Sequence, residues 1–344
     1  MRAMPPALVG FPGRVRGLLH TRRANLRSRT YATAAFNPPA GPYEVVPVVT
    51  RDGARLRVHV YGPADAQTIV LVHGWTCAIE YWNAQINEFA DRYRVVVYDM
   101  RGHGESELGS SPLTADLLAD DLATVLDATL RPRQRAVVVG HSLGGMTLQA
   151  WAGRYPDRVA KQACAVLLTN TAAGQLIAET TVLPLLNAPL PLLNWRIALP
   201  YALGRLGLGA ALVFPPIAPV KWAFTRQIMS LRSTGDVVDY SLAVVRSCPA
   251  RVRGKFGILL AELDLGESAR NFVVPTTVLA GEFDDMTPPV HAERIAEMLR
   301  ETGSLVKYEV LPQGHLGNIE MYERFNEELA SILDSVRQPA KAVG

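Results

Sequence analysis

The chain is 344 residues long, 49% hydrophobic and 19% charged, which supplies a substantial core and excludes disorder over most of its length. Its net charge of +3 is unevenly distributed, because the first 43 residues hold seven arginines and no acidic residue. The remaining residues therefore carry a net charge of −4, which gives no reason to expect binding to nucleic acid. The cysteines, Cys77, Cys164 and Cys248, are odd in number and widely spaced, so they indicate neither a disulfide framework nor a metal knuckle and fit a reducing compartment.

Residues 1–42 form a basic extension ahead of the predicted folded body. Arginines and leucines over residues 14–29 are typical of a weak amphipathic helix that lies on an anionic membrane. An arginine-rich segment without acidic residues is also typical of an organelle-targeting peptide. The third interpretation is a disordered basic tail. We expect a flexible extension, with peripheral membrane contact and targeting as alternatives.

The first part of the core is predicted over residues 43–170. Alternating valines on either side of Asp52-Gly53 predict an antiparallel hairpin. Apolar runs then predict buried strands at 69–72, 95–98, 136–139 and 165–168. Helical patterns separate these runs, and Thr114 is a predicted N-cap. Strands that alternate with helices predict a parallel sheet with right-handed crossovers.

The alternation stops near Thr171 and resumes at Pro275. The segment between them is apolar, but its prolines, together with Arg196 and Arg205, interrupt every candidate membrane span. We predict a helical lid over residues 171–264; the alternative is a helical insertion without contact to a ligand. The core continues over residues 265–338, with strands near 276–280 and 306–311, and residues 339–344 form a tail.

The stretch from Ala136 to Gly145 is typical of a strand, a sharp turn and the start of a helix. Ser142 lies between Gly140 and Gly144, where side chains would crowd a tight turn. A serine at such a bend points its hydroxyl away from the sheet, and the helix N-terminus behind it favours negative charge. The alternative is a glycine-rich turn that packs closely or holds a phosphate.

A serine nucleophile needs a base, and histidine is the usual one. Of the seven histidines, His315 alone follows a predicted strand end on a glycine-containing loop, at the sheet edge where catalytic groups gather. Asp284 and Asp285 follow the preceding strand, and a carboxylate there would orient the imidazole. The backbone amides of Trp75 and Leu143 are predicted to hold an oxyanion.

Five motifs follow one another in order, and together they resemble the α/β-hydrolases. They are His73-Gly74, Asp99-x-Arg101-Gly102-His103-Gly104-x-Ser106, Gly140-His141-Ser142-Leu143-Gly144-Gly145, Gly281-x-x-Asp284 and Gly314-His315. The resemblance covers about residues 43–338 and is strongest to the lidded serine esterases, monoacylglycerol lipases and haloperoxidase-like proteins. It implies the α/β-hydrolase fold, with a mostly parallel eight-stranded sheet, helices on both faces and a helical lid.

The resemblance also bears on the acid and on related activities. The pattern Gly281-Glu282-x-Asp284-x-x-Thr287-Pro288 favours Asp284 over Asp285 as the third member of a Ser142–His315–Asp284 triad. Epoxide hydrolases and haloalkane dehalogenases have an aspartate nucleophile, so Ser142 argues against those activities.

We therefore expect a hydrolase that cleaves a carboxylic ester of a lipophilic substrate, with no metal and no organic cofactor. The predicted substrate contacts are Trp75, Leu185, Leu192, Trp195 and Leu208. The alternatives are a C–C bond hydrolase or an acyltransferase with the same triad, or a non-catalytic binding protein. We expect a cytoplasmic location, with or without peripheral membrane contact; the oligomeric state is not indicated.

Overall fold

The computed structural model describes residues 11–181, 201–210, 217–233 and 235–337. Over these residues the strands are β1 (Tyr43–Val45), β2 (Val48–Val49), β3 (Arg55–Leu56), β4 (Val58–Tyr61), β5 (Thr68–Val72), β6 (Arg94–Tyr98), β7 (Ala136–His141), β8 (Ala163–Thr169), β9 (Thr276–Gly281) and β10 (Leu305–Leu311). The helices are α1 (Phe11–Ser28), α2 (Asn83–Phe89), α3 (Ala115–Thr129), α4 (Leu143–Arg154), α5 (Pro156–Gln162), α6 (Leu176–Glu179), α7 (Tyr201–Gly209), α8 (Ala218–Ile228), α9 (Gly235–Arg246), α10 (Ala250–Glu262), α11 (Pro289–Glu301), α12 (Gly317–Glu320) and α13 (Tyr322–Arg337). Short 3-10 helices lie at Ala34–Phe36, Ile79–Trp82 and Ser268–Asn271.

Eight of these strands form one sheet, in the order β1-β4-β6-β5-β7-β8-β9-β10. β4 pairs antiparallel with β1 and β6, whereas the neighbours from β6 through β10 are parallel. Parallel neighbours need crossover connections, which the intervening helices provide. The predicted mostly parallel eight-stranded sheet is confirmed. β2 and β3 pair with each other as a separate hairpin.

Helices cover both faces of the sheet because the central strands are apolar on both. Successive side chains of a strand point to opposite faces. Val70 belongs to an apolar cluster that contains Trp151 of α4, whereas Leu71 belongs to a second cluster with Ile86 of α2 and Leu329 of α13. Burial of each such side chain stabilises the fold by roughly 1.5–3 kcal/mol. The strands are therefore held between two helical layers.

The described chain between β8 and β9 is helical and comprises α6 to α10. α10 packs against α7, where the Leu208 carbonyl lies against Gly257. That these helices act as a lid stays a prediction. Within the described ranges, no helix combines the length and the hydropathy that a bilayer span requires.

The described part of the N-terminal extension packs on the body, which differs from the flexible extension that the sequence predicts. Leu26, Tyr31 and Phe36 are buried, and the Phe36 ring stacks on Tyr240 of α9 with 4.7 Å between ring centroids. Arg27 of α1 forms an ion pair with Glu80 at 2.8 Å. Leu26, one of the leucines of the predicted amphipathic helix, is buried and supplies part of this contact.

Candidate active site

Ser142 lies at a sharp turn between β7 and α4. Its φ of 53° and ψ of −120° are a conformation that residues other than glycine rarely adopt. The turn is held on both sides, because the Ser142 amide donates to the Thr169 carbonyl at 3.0 Å and the Thr171 hydroxyl donates to the Ser142 carbonyl at 2.7 Å. A methyl group at Gly144 would lie 2.1 Å from the Val72 carbonyl oxygen, so glycine is required for this close approach.

The structure brings Ser142, His315 and Asp284 together from the ends of three strands. Nε2 of His315 lies 2.9 Å from the Ser142 hydroxyl, and Nδ1 lies 2.8 Å from Oδ2 of Asp284. Relative exposures are 5% for Ser142, 4% for His315 and 2% for Asp284. When Nδ1 donates its proton to the carboxylate, Nε2 is free to accept the serine proton. This arrangement can activate a hydroxyl in a site that excludes bulk water.

The carboxylate of Asp284 is held in its ionised form. Burial by itself would raise its pKa, but the adjacent His315 and several hydrogen bonds bring the pKa below its ordinary value. Oδ1 accepts from the amides of Met286 and Thr287 at 2.9 Å each, and Oδ2 accepts from the Thr287 hydroxyl at 2.8 Å. Asp284 can therefore orient the imidazole and stabilise its protonated form.

Asp285, the alternative to Asp284, makes contacts with Thr181. Its carboxylate accepts a hydrogen bond from the Thr181 hydroxyl, and its carbonyl accepts from the Thr181 amide at 2.8 Å. Burial raises the pKa of this carboxyl. Asp285 therefore connects the loop after β9 to Thr181, near the start of the predicted lid. Of the two aspartates, Asp284 is the one that contacts His315.

The two predicted oxyanion donors belong to segments that adjoin Ser142. Leu143 is the first residue of α4, and a helix leaves such an amide without an intrahelical acceptor. Trp75 follows Gly74, where an added methyl would lie 3.0 Å from Cβ of Ser142, so this loop adjoins the serine. The amide of Trp75 makes no hydrogen bond within the described chain. Both amides are therefore available to a ligand beside Ser142.

Two buried histidines hold the loop that carries Trp75. Nε2 of His73 accepts from the Met100 amide at 3.0 Å, and Nε2 of His103 accepts from the Thr76 amide at 3.2 Å. Burial lowers the pKa of His73 to about 4 and that of His103 to about 3. Both rings are thus neutral at pH 7 and can accept through one nitrogen. They brace the loop and are not proton carriers.

Comparison with known proteins identifies the family. The sequence model of the alpha/beta hydrolase fold family matches residues 67–321. The chain belongs to the α/β-hydrolase family. A 3-oxoadipate enol-lactonase from Acinetobacter baylyi is 25% identical over 287 residues, which are 83% of this chain and 95% of that protein. A bifunctional esterase/perhydrolase from Acinetobacter calcoaceticus is 29% identical over 272 residues, which are 78% of this chain and 92% of that protein.

A solved structure shares the fold at lower identity. A thermophilic esterase from Thermogutta terrifontis superposes with a TM-score of 0.65 at 22% identity, covering 86% of this chain and 100% of the esterase. The family match and these relatives together make the chain an α/β-fold hydrolase, as the resemblance of its motifs implies.

Sequence reasoning missed Asn170 in this α/β-hydrolase. Asn170 follows β8, in the stretch Thr169-Asn170-Thr171, which contains no acidic residue. It has a φ of 47°, and its side-chain amide donates to Oδ2 of Asp284 at 2.9 Å and to the Gly314 carbonyl at 3.0 Å. Its position at the carboxyl end of a parallel strand was the available signal. Asn170 joins the acid to the loop that carries His315.

Glu320 was also missed, and the sequence holds no signal for it. Its carboxylate accepts from the amides of Gly314 at 3.2 Å and Leu316 at 3.1 Å, which flank His315. It also accepts from the Ser230 amide at 2.7 Å and the Ser233 hydroxyl at 2.9 Å. Glu320 thus joins the histidine loop of the α/β-hydrolase to the connection between α8 and α9.

The predicted substrate contacts are only partly described. Leu185, Leu192 and Trp195 lie outside the described residues. The indole N–H of Trp75 donates to the Arg253 carbonyl of α10 at 3.1 Å, so the ring packs under the predicted lid. Leu208 is half-buried on α7. Contact of these side chains with substrate stays a prediction.

Proposed function

We propose that this hydrolase cleaves carboxylic esters through a covalent acyl-enzyme. The observation that carries the proposal is the hydrogen-bonded line from Ser142 through His315 to Asp284, with contacts of 2.9 Å and 2.8 Å. A serine hydroxyl becomes nucleophilic when an oriented base can take its proton. The two amides beside Ser142 add support, because acyl transfer develops negative charge on the carbonyl oxygen.

The reaction proceeds in two halves. Oγ of Ser142 attacks the ester carbonyl while Nε2 of His315 takes the hydroxyl proton, and the amides of Trp75 and Leu143 stabilise the oxyanion. The C–O bond then breaks, and His315 returns its proton to the departing alcohol. A water molecule that His315 deprotonates attacks the acyl-enzyme, and collapse of the second oxyanion releases the acid and restores the hydroxyl. Asp284 stabilises the imidazolium in both halves.

The names of two relatives also support an ester substrate. An enol-lactonase and an esterase both act on an acyl C–O bond, the first within a ring. A serine triad can also serve C–C bond cleavage or acyl transfer, and a catalytically silent hydrolase fold would act only by binding. Activity on a β-diketone or transfer to an added alcohol, without hydrolysis of simple esters, would favour those alternatives.

A lipophilic substrate is supported by the composition of the predicted lid. Residues 180–235 contain no aspartate or glutamate. On α7 and α8, Leu203, Leu206 and Trp222 expose 53%, 67% and 68% of their surface, respectively, which is unusual for side chains of this size. An apolar lid favours acyl chains over small charged esters. We expect p-nitrophenyl octanoate to be hydrolysed faster than a short ester with a charged acyl group; the reverse order would overturn this preference.

The test of the mechanism is a pair of serine variants. We expect Ser142→Ala to lower kcat on p-nitrophenyl esters by about 10⁴-fold or more and to abolish labelling by a fluorophosphonate probe. The matched control is Ser335→Ala, which removes the same hydroxyl from an exposed position of α13. Labelling that persists in Ser142→Ala, or equal losses in both variants, would contradict the proposal.

A further inference from the structure

A cavity of about 320 Å³ lies between α1 and α9, and it does not include the residues of the proposed triad. It is lined by Arg22, Asn25, Leu26, Ser28, Arg29, Tyr31, Ala243 and Arg246. Three of these residues are arginines, and none of the described lining residues is acidic. The cavity thus combines the volume of a small-molecule site with a concentrated positive charge.

The arginines differ in their partners. Arg29 forms an ion pair with Asp239 at 3.2 Å, and its guanidinium lies over the Tyr31 ring at 4.8 Å. Neither Arg22 nor Arg246 has a carboxylate within ion-pair distance in the described part of the chain. One helix contributes Arg22 and the other contributes Arg246, so α1 and α9 meet with two uncompensated positive charges.

Buried polar atoms at the same place also lack partners. Nε of Arg246 and the hydroxyl of Tyr31 are buried, and neither has a hydrogen-bond partner among the described residues. Burial lowers the pKa of Arg246, and the nearby Arg22 lowers it further. Unsatisfied buried donors and like charges both cost stability, and an anion in the cavity would relieve both costs.

We propose that this cavity is a binding site for a phosphate group, held by the guanidinium groups of Arg22 and Arg246. A phosphate offers several acceptor oxygens and up to two negative charges, and the planar guanidinium matches its geometry. The cavity reaches the size of sites for small organic ligands, and Leu26 and Ala243 give it an apolar part. The ligand is therefore a phosphate ester, either a soluble one or the headgroup of an anionic phospholipid.

The site would also secure the N-terminal helix. A phosphate bound by both arginines bridges α1 to α9, and α1 is already joined to the body through the ion pair of Arg27 with Glu80. A ligand that binds only the folded state raises the melting temperature as its concentration increases. We therefore expect glycerol 3-phosphate to raise the Tm of the full-length protein.

The experiment compares the full-length protein with Arg22→Gln/Arg246→Gln and with the control Arg251→Gln, which removes an exposed charge at the start of α10. Binding of glycerol 3-phosphate is measured by calorimetry. Sedimentation measures binding to phosphatidylcholine vesicles with and without phosphatidic acid. We expect each lost guanidinium to weaken phosphate binding about tenfold, and Arg251→Gln to bind like the natural protein.

The two arms separate the sources of the phosphate. Loss of glycerol 3-phosphate binding in the double variant supports a soluble ester, and loss confined to vesicles with phosphatidic acid supports a lipid headgroup. Equal binding by the double variant and the natural protein in both arms would overturn the proposal. If the double variant does not fold, the natural protein is labelled with phenylglyoxal, which modifies arginines. We expect glycerol 3-phosphate or vesicles with phosphatidic acid to protect Arg22 and Arg246 from modification. Equal modification of both arginines with and without these ligands would overturn the proposal.

Discussion

The side-chain amide of Asn170 donates a hydrogen bond to Oδ2 of Asp284 at 2.9 Å, although the two residues are 114 positions apart in the chain. β8 and β9 are neighbours in the sheet, so the residues that follow them meet at one edge. The same amide also reaches the Gly314 carbonyl at 3.0 Å. Asn170 is thus a positioning residue, which we expect to act through Asp284 and the histidine loop.

Replacement of Asn170 tests this role. Asn170→Ala removes both hydrogen bonds, and we expect kcat to fall about tenfold with little change in KM, because a hydrogen bond to a charged group is worth about 1.5–3 kcal/mol. Asn170→Asp instead places a second carboxyl beside Asp284, which should raise the pKa of the pair and move the acidic limb of the pH–rate profile upward. An unchanged profile in Asn170→Asp would argue for a purely structural role.

Glu320 is expected to hold the loop that carries His315 against the connection between α8 and α9. Glu320→Ala removes the acceptor for the amides of Gly314, Leu316 and Ser230, which leaves these donors without their partner. We expect a kcat at least about tenfold lower, and faster hydrogen exchange over residues 228–233. Glu323→Gln, on the first turn of α13, is the control and should change neither quantity.

Gly74 is expected to accept no side chain. A methyl group there would lie 2.7 Å from Nδ1 of His141 and 3.0 Å from Cβ of Ser142. We expect Gly74→Ala to displace the Trp75 amide and to lower kcat by roughly 10²–10³, the usual effect of losing one oxyanion donor. In Gly207→Ala the added methyl meets open space on α7, so activity should be unchanged. Comparable kcat values for the two variants would argue against an oxyanion role for this loop.

Glu80 is expected to make stability depend on pH. Burial would raise its pKa, but Arg57 and Arg27 outweigh burial and lower the pKa below its ordinary value. A group with a lowered folded-state pKa stabilises the protein above its unfolded-state pKa, about 4.3, and this contribution is lost as the pH falls further. The loss of unfolding free energy in Glu80→Gln should therefore be largest near pH 7 and shrink below about pH 4.

Urea denaturation at a series of pH values measures this dependence. The control is Glu88→Gln, because Glu88 forms an exposed pair with Arg92 on the surface, where such pairs contribute little. If the stability difference for Glu80→Gln stays constant from pH 7 to pH 3, the ion pairs of Glu80 with Arg27 and Arg57 are not its cause.

Much of the fold is encoded in local patterns. A buried parallel strand is apolar on both faces, so the runs at Val70 and Val138 are recognisable without any knowledge of their neighbours. Ser142, Asp284 and His315 were predicted for a related reason: each follows a predicted parallel strand, and parallel strands end at one edge. The choice of Asp284 over Asp285 came from the resemblance of its motif to the family pattern. The sequence by itself therefore determined the sheet and these three candidate residues.

Only the tertiary structure decided which distant groups meet around them. Asn170 contacts Asp284, Glu320 contacts Ser230, and Phe36 stacks on Tyr240, each across a long sequence separation. Such contacts depend on how loops and helices pack once the sheet is formed, and no local period or spacing encodes them. The packing of Leu26, Tyr31 and Phe36 on the body was not predicted for this reason, because the burial of a side chain depends on the surface it meets.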